Sequence, residues 1–229
     1  MEQGNNKVAV AVVTLVIGAL VGGGAGYAAG HNNNSSKSSS VSSSAPSTAT
    51  KAADLRAVLN NLETEHVDLA SAATRAGFDG SPMFKASAAS LDENSVNLSK
   101  AIASVYGDAA GTKFLEIWRS HIGFFVDYTV AAKGGDQAGM DKAVQNLNGY
   151  VEAISAFLSS ANPNLPKDAV ASLITEHVGL LKAAVDNYGK GDYAASYKSQ
   201  ADARTQIQTK IADTIAGAIV KQSPEKFTN

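Results

Sequence analysis

The sequence predicts an all-α protein: a six-helix bundle or a short stack of three antiparallel helical hairpins, preceded by one N-terminal transmembrane helix. Three observations carry that expectation. Apolar residues recur at three- and four-residue steps through most of the chain after Thr50. A helix–turn–helix pattern returns three times at a nearly constant interval. Proline is scarce, 5 of 229 residues, while alanine, serine and leucine abound, a composition suited to long helices. A chain of this length can bury a sizeable core in one domain and still carry tails.

Residues 1–7 read as a short tail and residues 8–30 as a membrane anchor or signal segment. From Val8 to Ala29 the chain carries no charge, and these 22 residues are enough to cross a bilayer as a helix. The run is longer than a usual signal core and reads as an uncleaved signal-anchor. The alternative is a cleaved signal peptide, for which Gly26, Ala28 and Ala29 would suit the peptidase. The anchor makes a single-pass cell-membrane protein with an extracytoplasmic ectodomain, and cleavage makes a secreted one. Gly18, Gly22, Gly26 and Gly30 fall on one helix face, where small residues permit close packing of membrane helices and self-association. An export segment rich in glycine and alanine would carry the same residues without any packing role. Residues 31–50, rich in serine and almost free of apolar residues, read as a flexible linker.

Residues 51–229 read as a helical ectodomain with hairpins at about 52–106, 109–160 and 167–221. Leu62-Glu63-Thr64-Glu65-His66-Val67 is echoed by Leu173-Ile174-Thr175-Glu176-His177-Val178, with Trp118-Arg119-Ser120-His121-Ile122 between them. The histidines stand 55 and 56 residues apart. A turn signal follows each at a similar distance: Asp79-Gly80, Gly135-Asp136 and Gly191-Asp192. In the last two, glycine ends one helix and aspartate caps the next. In the first, Ser81 caps and Pro82 opens the following helix. The expected apolar stripes are Leu55, Val58 or Leu59, Leu62, Leu69 and Ala73 in the first helix, and Phe114, Ile117, Phe124, Tyr128 and Ala131 in the third. The fifth has Val170, Leu173, Leu180, Ala184 and Tyr188, and the sixth has Tyr193, Tyr197, Ile207, Ile211 and Ile215. A lone hairpin cannot bury such stripes, so the hairpins must pack on one another.

Several segments resemble a family. They are Leu91-Asp92-Glu93-Asn94-Ser95, Ala101-Ile102 with Val105-Tyr106-Gly107, and Phe114 with the run Trp118 to Tyr128. The ending adds Ala212-Asp213, Ala218-Ile219, Gln222 and Pro224-Glu225-Lys226-Phe227. Over about residues 54–228 the chain resembles a helical domain of secreted bacterial proteins often labelled copper amine oxidase-like, a label inherited from a stalk domain fused to some of them. The resemblance implies extracellular surface association and no established activity. Amine oxidase chemistry needs an Asn-Tyr-Asp/Glu site and a His-x-His pair. Here Asn187-Tyr188 precedes Gly189, and no His-x-His occurs. Relatives often carry a further histidine in the last helix, where this chain has Thr205 and Gln206.

His66, His121 and His177 each fall inside an apolar stripe and should face the core. If the hairpins meet around a pseudo-threefold axis, the rings converge on a transition metal or on haem, since imidazole ligates both and bundle cores hold such sites. The alternative is three separate buried histidines bonded to polar partners on neighbouring helices, with Asn94 and Arg204 as the leading partners and Ser95 and Gln200 beside them. With no cysteine there is no disulfide framework or thiolate site. A net charge of −2 without a basic stripe argues against nucleic acid. No nucleophile elbow or phosphate-binding glycine loop occurs. The expected function is therefore non-catalytic: a membrane-tethered extracytoplasmic module for binding or envelope assembly, with an envelope protein or a second copy as partner. A metal- or haem-binding bundle is the alternative.

Overall fold

A computed structural model describes residues 50–228. The apolar segment with its glycine face, and the linker up to residue 49, lie outside the described residues. Among the described residues there is no strand, and no helix is long and apolar enough to cross a membrane.

Six rods make the fold: α1 (Lys51–Asp79), α2 (Phe84–Tyr106), α3 (Asp108–Gly134), α4 (Gln137–Ala161), α5 (Lys167–Gly189) and a last rod in two parts. In that rod, α6 (Tyr193–Gln206) passes through a π-helical turn (Ile207–Ile211) into α7 (Ala212–Gln222), before a 3-10 turn at Pro224–Phe227. Side-chain caps start three of the helices. Thr50, Asp136 and Asp192 accept from the backbone N–H of Ala53, Gly139 and Ala195 at 3.0–3.1 Å. Gly80, Gly135 and Gly191 turn the chain at φ of 68°, 67° and 77°, a conformation that costs glycine nothing. The first hairpin departs from expectation at its turn. Ser81 Oγ accepts from the Met83 N–H, Pro82 and Met83 form a turn, and α2 begins only at Phe84.

α1, α3 and α5 touch one another pairwise, and each even-numbered rod lies between two of them. α2 sits against α1 and α3, α4 against α3 and α5, and the α6–α7 rod against α5 and α1. The repeat therefore closes as a pseudo-threefold bundle. Its inner layers follow the 55- and 56-residue steps: Leu59/Phe114/Val170, then Glu63/Trp118/Ile174, then His66/His121/His177, all buried. The even rods add Leu91/Leu147/Ala203 and Ser95/Val151/Ile207, in steps of 56. Beyond Ile207 the matching positions slip by one, to Leu98/Ile154/Ile211, because the π-turn absorbs one extra residue. Each fully buried Leu or Ile, such as Leu147 or Ile154, contributes about 1.5–3 kcal/mol.

The inner stripes are rotated from those expected. α1 buries Leu59, Glu63, His66, Val67 and Ala73, and α3 buries Phe114, Trp118, His121, Phe125 and Tyr128. α5 buries Val170, Ile174, His177, Leu181 and Ala184. Tyr193 and Tyr197, placed in the sixth stripe by periodicity, are 57% and 60% exposed. α6 turns Ser196 and Ala203 inward instead, since the small residues let it lie close to α5. α2 and α3 are joined through Gly107 alone, and Gly111 lets them meet. A Cβ there would stand 2.7 Å from Ala103 Cβ and 2.8 Å from the Ser99 carbonyl.

Candidate functional site

The three histidines come together in the middle of the bundle. His66 and His121 lie 5.4 Å apart by ring centroid, and Trp118 packs on both at 4.8 and 4.7 Å. All three rings are buried. Burial, reinforced by the neighbouring imidazoles, holds His66 well below its ordinary range. Burial, with His177 nearby, brings His121 down to about 3, partly offset by the Trp118 backbone. Burial brings His177 down to about 4, against the opposing pull of Gln206 and Glu176. The rings are therefore neutral at ordinary pH. Glu63, one turn before His66, is buried with Oε2 unpartnered. Burial raises it to about 8, so it holds its proton at pH 7. Burial, with Glu63 nearby, also raises Tyr150, whose ring stacks on His121 at 4.5 Å.

The polar partners follow the repeat, and they correct the sequence reading. Neither Asn94 nor Arg204 bonds a histidine. Asn94 Nδ2 donates to the Leu62 carbonyl at 2.9 Å and to Glu65 at 2.8 Å. Arg204 pairs with Asp68 across the α1–α6 seam. Ser95 returns its hydroxyl to its own helix, and Gln200 bridges Arg75 and Asp68. The partner that does reach a ring is Gln206. Its Nε2 donates to the Leu173 carbonyl at 2.8 Å, and its Oε1 accepts from His177 Nδ1 at 3.1 Å. Asn94, Tyr150 and Gln206 occupy one repeat position, 56 residues apart. In the first and third units the carboxamide there bonds the carbonyl four residues before the histidine. Asn94 is one methylene too short to do more, which leaves Asn94 Oδ1 and His66 Nδ1 buried without partners. Gln206, Tyr150 and Glu63 were not among the expected partners; the 56-residue step from Asn94 would have marked the first two, and the Glu63-x-x-His66 spacing the third.

Two cavities adjoin this layer. The smaller, about 30 Å³, has Glu63, Trp118, His121, Tyr150 and His177 in its wall, with Glu63 Oε2, His121 Nδ1 and His177 Nε2 unpartnered. Among the described residues no three His, Asp or Glu side chains are grouped as a metal ion would require. The larger, about 310 Å³, lies towards the C-terminal ends of α1, α3 and α5. It exists because α1 contributes Ala70, Ala73 and Gly77 where the other inner helices carry bulk, such as Phe125, Leu181 and Tyr188. Phe84, Leu91 and Ile122 complete an apolar wall, His66 and His121 line the end nearest the histidine layer, and Arg75 and Tyr188 stand near the chain turns. No protein family matches the chain, and no curated protein or solved structure matches it either.

Proposed function

We propose that this protein is a non-catalytic binding module that holds a small apolar molecule inside the bundle, carried outside the cytoplasm on its N-terminal apolar segment. One observation supports the binding role above all: a cavity of about 310 Å³ walled by side chains of α1, α2, α3 and α5. Natural ligand pockets begin at about 300 Å³ and are mostly apolar with a few polar groups. The extracytoplasmic placement draws on the uncharged run Val8–Ala29 and on the family resemblance, which implies surface association.

Filling the cavity tests the binding role. Ala73 is buried in its wall, and Ala73→Leu projects a larger side chain into the space. The expected result is a chain that melts no lower than wild type, while a saturating apolar probe such as naphthalene raises the melting temperature of wild type only. Equal probe-induced shifts in the two chains refute the reading.

A second reading, a transition-metal site, draws on the unpartnered ligand atoms around the smaller cavity. The Gln206 bond leaves His177 Nε2 as a free acceptor, and a space of about 30 Å³ suits one water or ion. Ligation would need side-chain rotation to gather Glu63, His121 and His177. Elemental analysis of untagged protein and a melting scan with zinc or copper test it. Less than about one metal per chain together with no melting shift rejects it.

A further inference from the structure

The larger cavity has one exposed edge. Of the described residues in its wall, only Gly80 and Val130 are exposed. Both stand at the turn end of the bundle, Gly80 as the cap of α1 and Val130 near the end of α3. Lys133, one turn beyond Val130, reaches across to Gly80: its Nζ would lie 3.1 Å from a Cβ placed there. Lys133 is exposed, and among the described residues it forms no ion pair. Asp79, beside Gly80, is drawn towards α5 instead, where it accepts the Tyr188 hydroxyl at 2.7 Å. Arg75 is engaged as well, donating to Gln200 and lying over the Tyr197 ring. Inside, the hydroxyl protons of the wall are spent. Thr74, Thr129 and Ser196 donate to the Ala70, Phe125 and Ala184 carbonyls. The unpartnered Ser71 Oγ, His66 Nδ1 and His121 Nδ1 have essentially no accessible surface, so they offer a ligand nothing.

Resting on the binding role above, we propose that the ligand is a single-chain fatty acid of about twelve carbons, its hydrocarbon chain in the cavity and its carboxylate at the mouth beside Lys133. Bulk follows from volume: the space is roughly twice the ~150 Å³ of an apolar cavity that takes up one benzene, a molecule of about six carbons. Shape follows from length. The wall runs along α1 from His66 to Gly80, about 20 Å of helix. About 310 Å³ spread over that length suits one chain and excludes fused rings or two chains abreast. The head follows from charge. A carboxylate drawn into the apolar interior would lose its water without gaining a partner, so it stays at the rim, where the Lys133 ammonium is an unpaired point charge. A cationic head would meet the same ammonium and be repelled.

Equilibrium dialysis of the full chain at low salt tests this, with dodecanoate, 1-dodecanol and dodecylammonium each kept below its micelle threshold. Dodecanoate is expected to bind about five-fold more tightly than dodecylammonium, one exposed attraction gained and one repulsion avoided. Lys133→Glu should reverse that order and leave dodecanol unchanged. The exposed position keeps the variant folded, and both chains carry the same N-terminal segment, so uptake by that segment cancels. Among carboxylates, affinity should climb about four-fold per carbon from octanoate to dodecanoate and then level off. Dodecylammonium binding as tightly as dodecanoate, an order that Lys133→Glu leaves in place, or a climb that continues to hexadecanoate overturns the fatty acid. Naphthalene uptake that Ala73→Leu abolishes then shows the cavity's role still standing. Uptake of no probe, or equal uptake by wild type and Ala73→Leu, overturns the role itself.

Discussion

Lowering the pH from 6.5 to 5 probes the buried histidine layer directly. In the fold His121 titrates at about 3 and His177 at about 4, with His66 also well below the ordinary 6.5. Below pH 6.5 the unfolded chain takes up protons on these rings that the folded chain refuses. Their contribution to stability is thus complete above 6.5 and is lost as pH falls towards the folded values. At about 1.36 kcal/mol per unit of mismatch, His121 and His177 together cost about 3 kcal/mol between pH 6.5 and 5, and His66 adds to that in the same direction. Glu63 acts in the opposite direction. Its folded value of about 8 lies above the ordinary 4.5, so the unfolded chain ionises first and stability falls as pH rises from 4.5 to 8. Acidification to pH 5 therefore returns about 2 kcal/mol through Glu63. The net loss is at least about 1 kcal/mol, to which His66 adds, against a usual ~5–15 kcal/mol of stability. Lys210 holds Glu176 below its ordinary 4.5, so that ion pair is lost outside this interval. Urea denaturation followed by the fluorescence of Trp118, the single tryptophan, measures the effect. With a slope of about 2 kcal/mol per molar, the midpoint should fall by at least about 0.5 M. A midpoint that stays the same at both pH values refutes three neutral imidazoles in a dry core.

Glu63→Gln should remove a decline of about 4 kcal/mol that Glu63 accumulates between pH 4.5 and 8, as the same denaturation read across that interval would reveal. Asn94→Gln supplies the missing methylene, and its amide oxygen should reach His66 Nδ1. A gain of about 1 kcal/mol in urea is expected, and a loss would mean that the first unit's neighbourhood has no room for it. Gly111→Ala forces α2 and α3 apart at Ala103 and should cost about 1–3 kcal/mol in a thermal melt, whereas Gly149→Ala, with nothing within 4 Å of the added carbon, should cost nothing measurable.

The helical class and the turns at Gly135-Asp136 and Gly191-Asp192 were legible in the sequence because local rules govern them: apolar period, glycine in the left-handed region, aspartate at the cap. The facing of the inner helices was not. Their buried edge carries Glu63, His66, Trp118, His121 and His177, so a stripe drawn through aliphatic residues alone settles to one side of it. Tyr193 and Tyr197 misled for the complementary reason: they keep the period, while the close approach of α6 to α5 rewards the small Ser196 and Ala203. The π-turn at Ile207–Ile211 leaves no local mark, and only the slip from 56- to 57-residue steps betrays it. The histidines themselves were visible as a repeat, but their partner Gln206 lies in helices whose equivalent side chains are an amide, a phenol and a longer amide. The larger cavity was least legible of all. It is a deficit of volume, and Ala70 and Ala73 read simply as good helix formers.

Because the hairpins share one frame, a single structural position exists in three chemical versions inside one polypeptide: Asn94 stops short of its unit's histidine, Tyr150 stacks on His121, and Gln206 bonds His177. Solvent, temperature and concentration are identical for all three by construction. The ring resonances of His66, His121 and His177 would therefore report, in one NMR tube, how the reach of a neighbouring side chain sets the protonation of an imidazole, every molecule serving as its own reference.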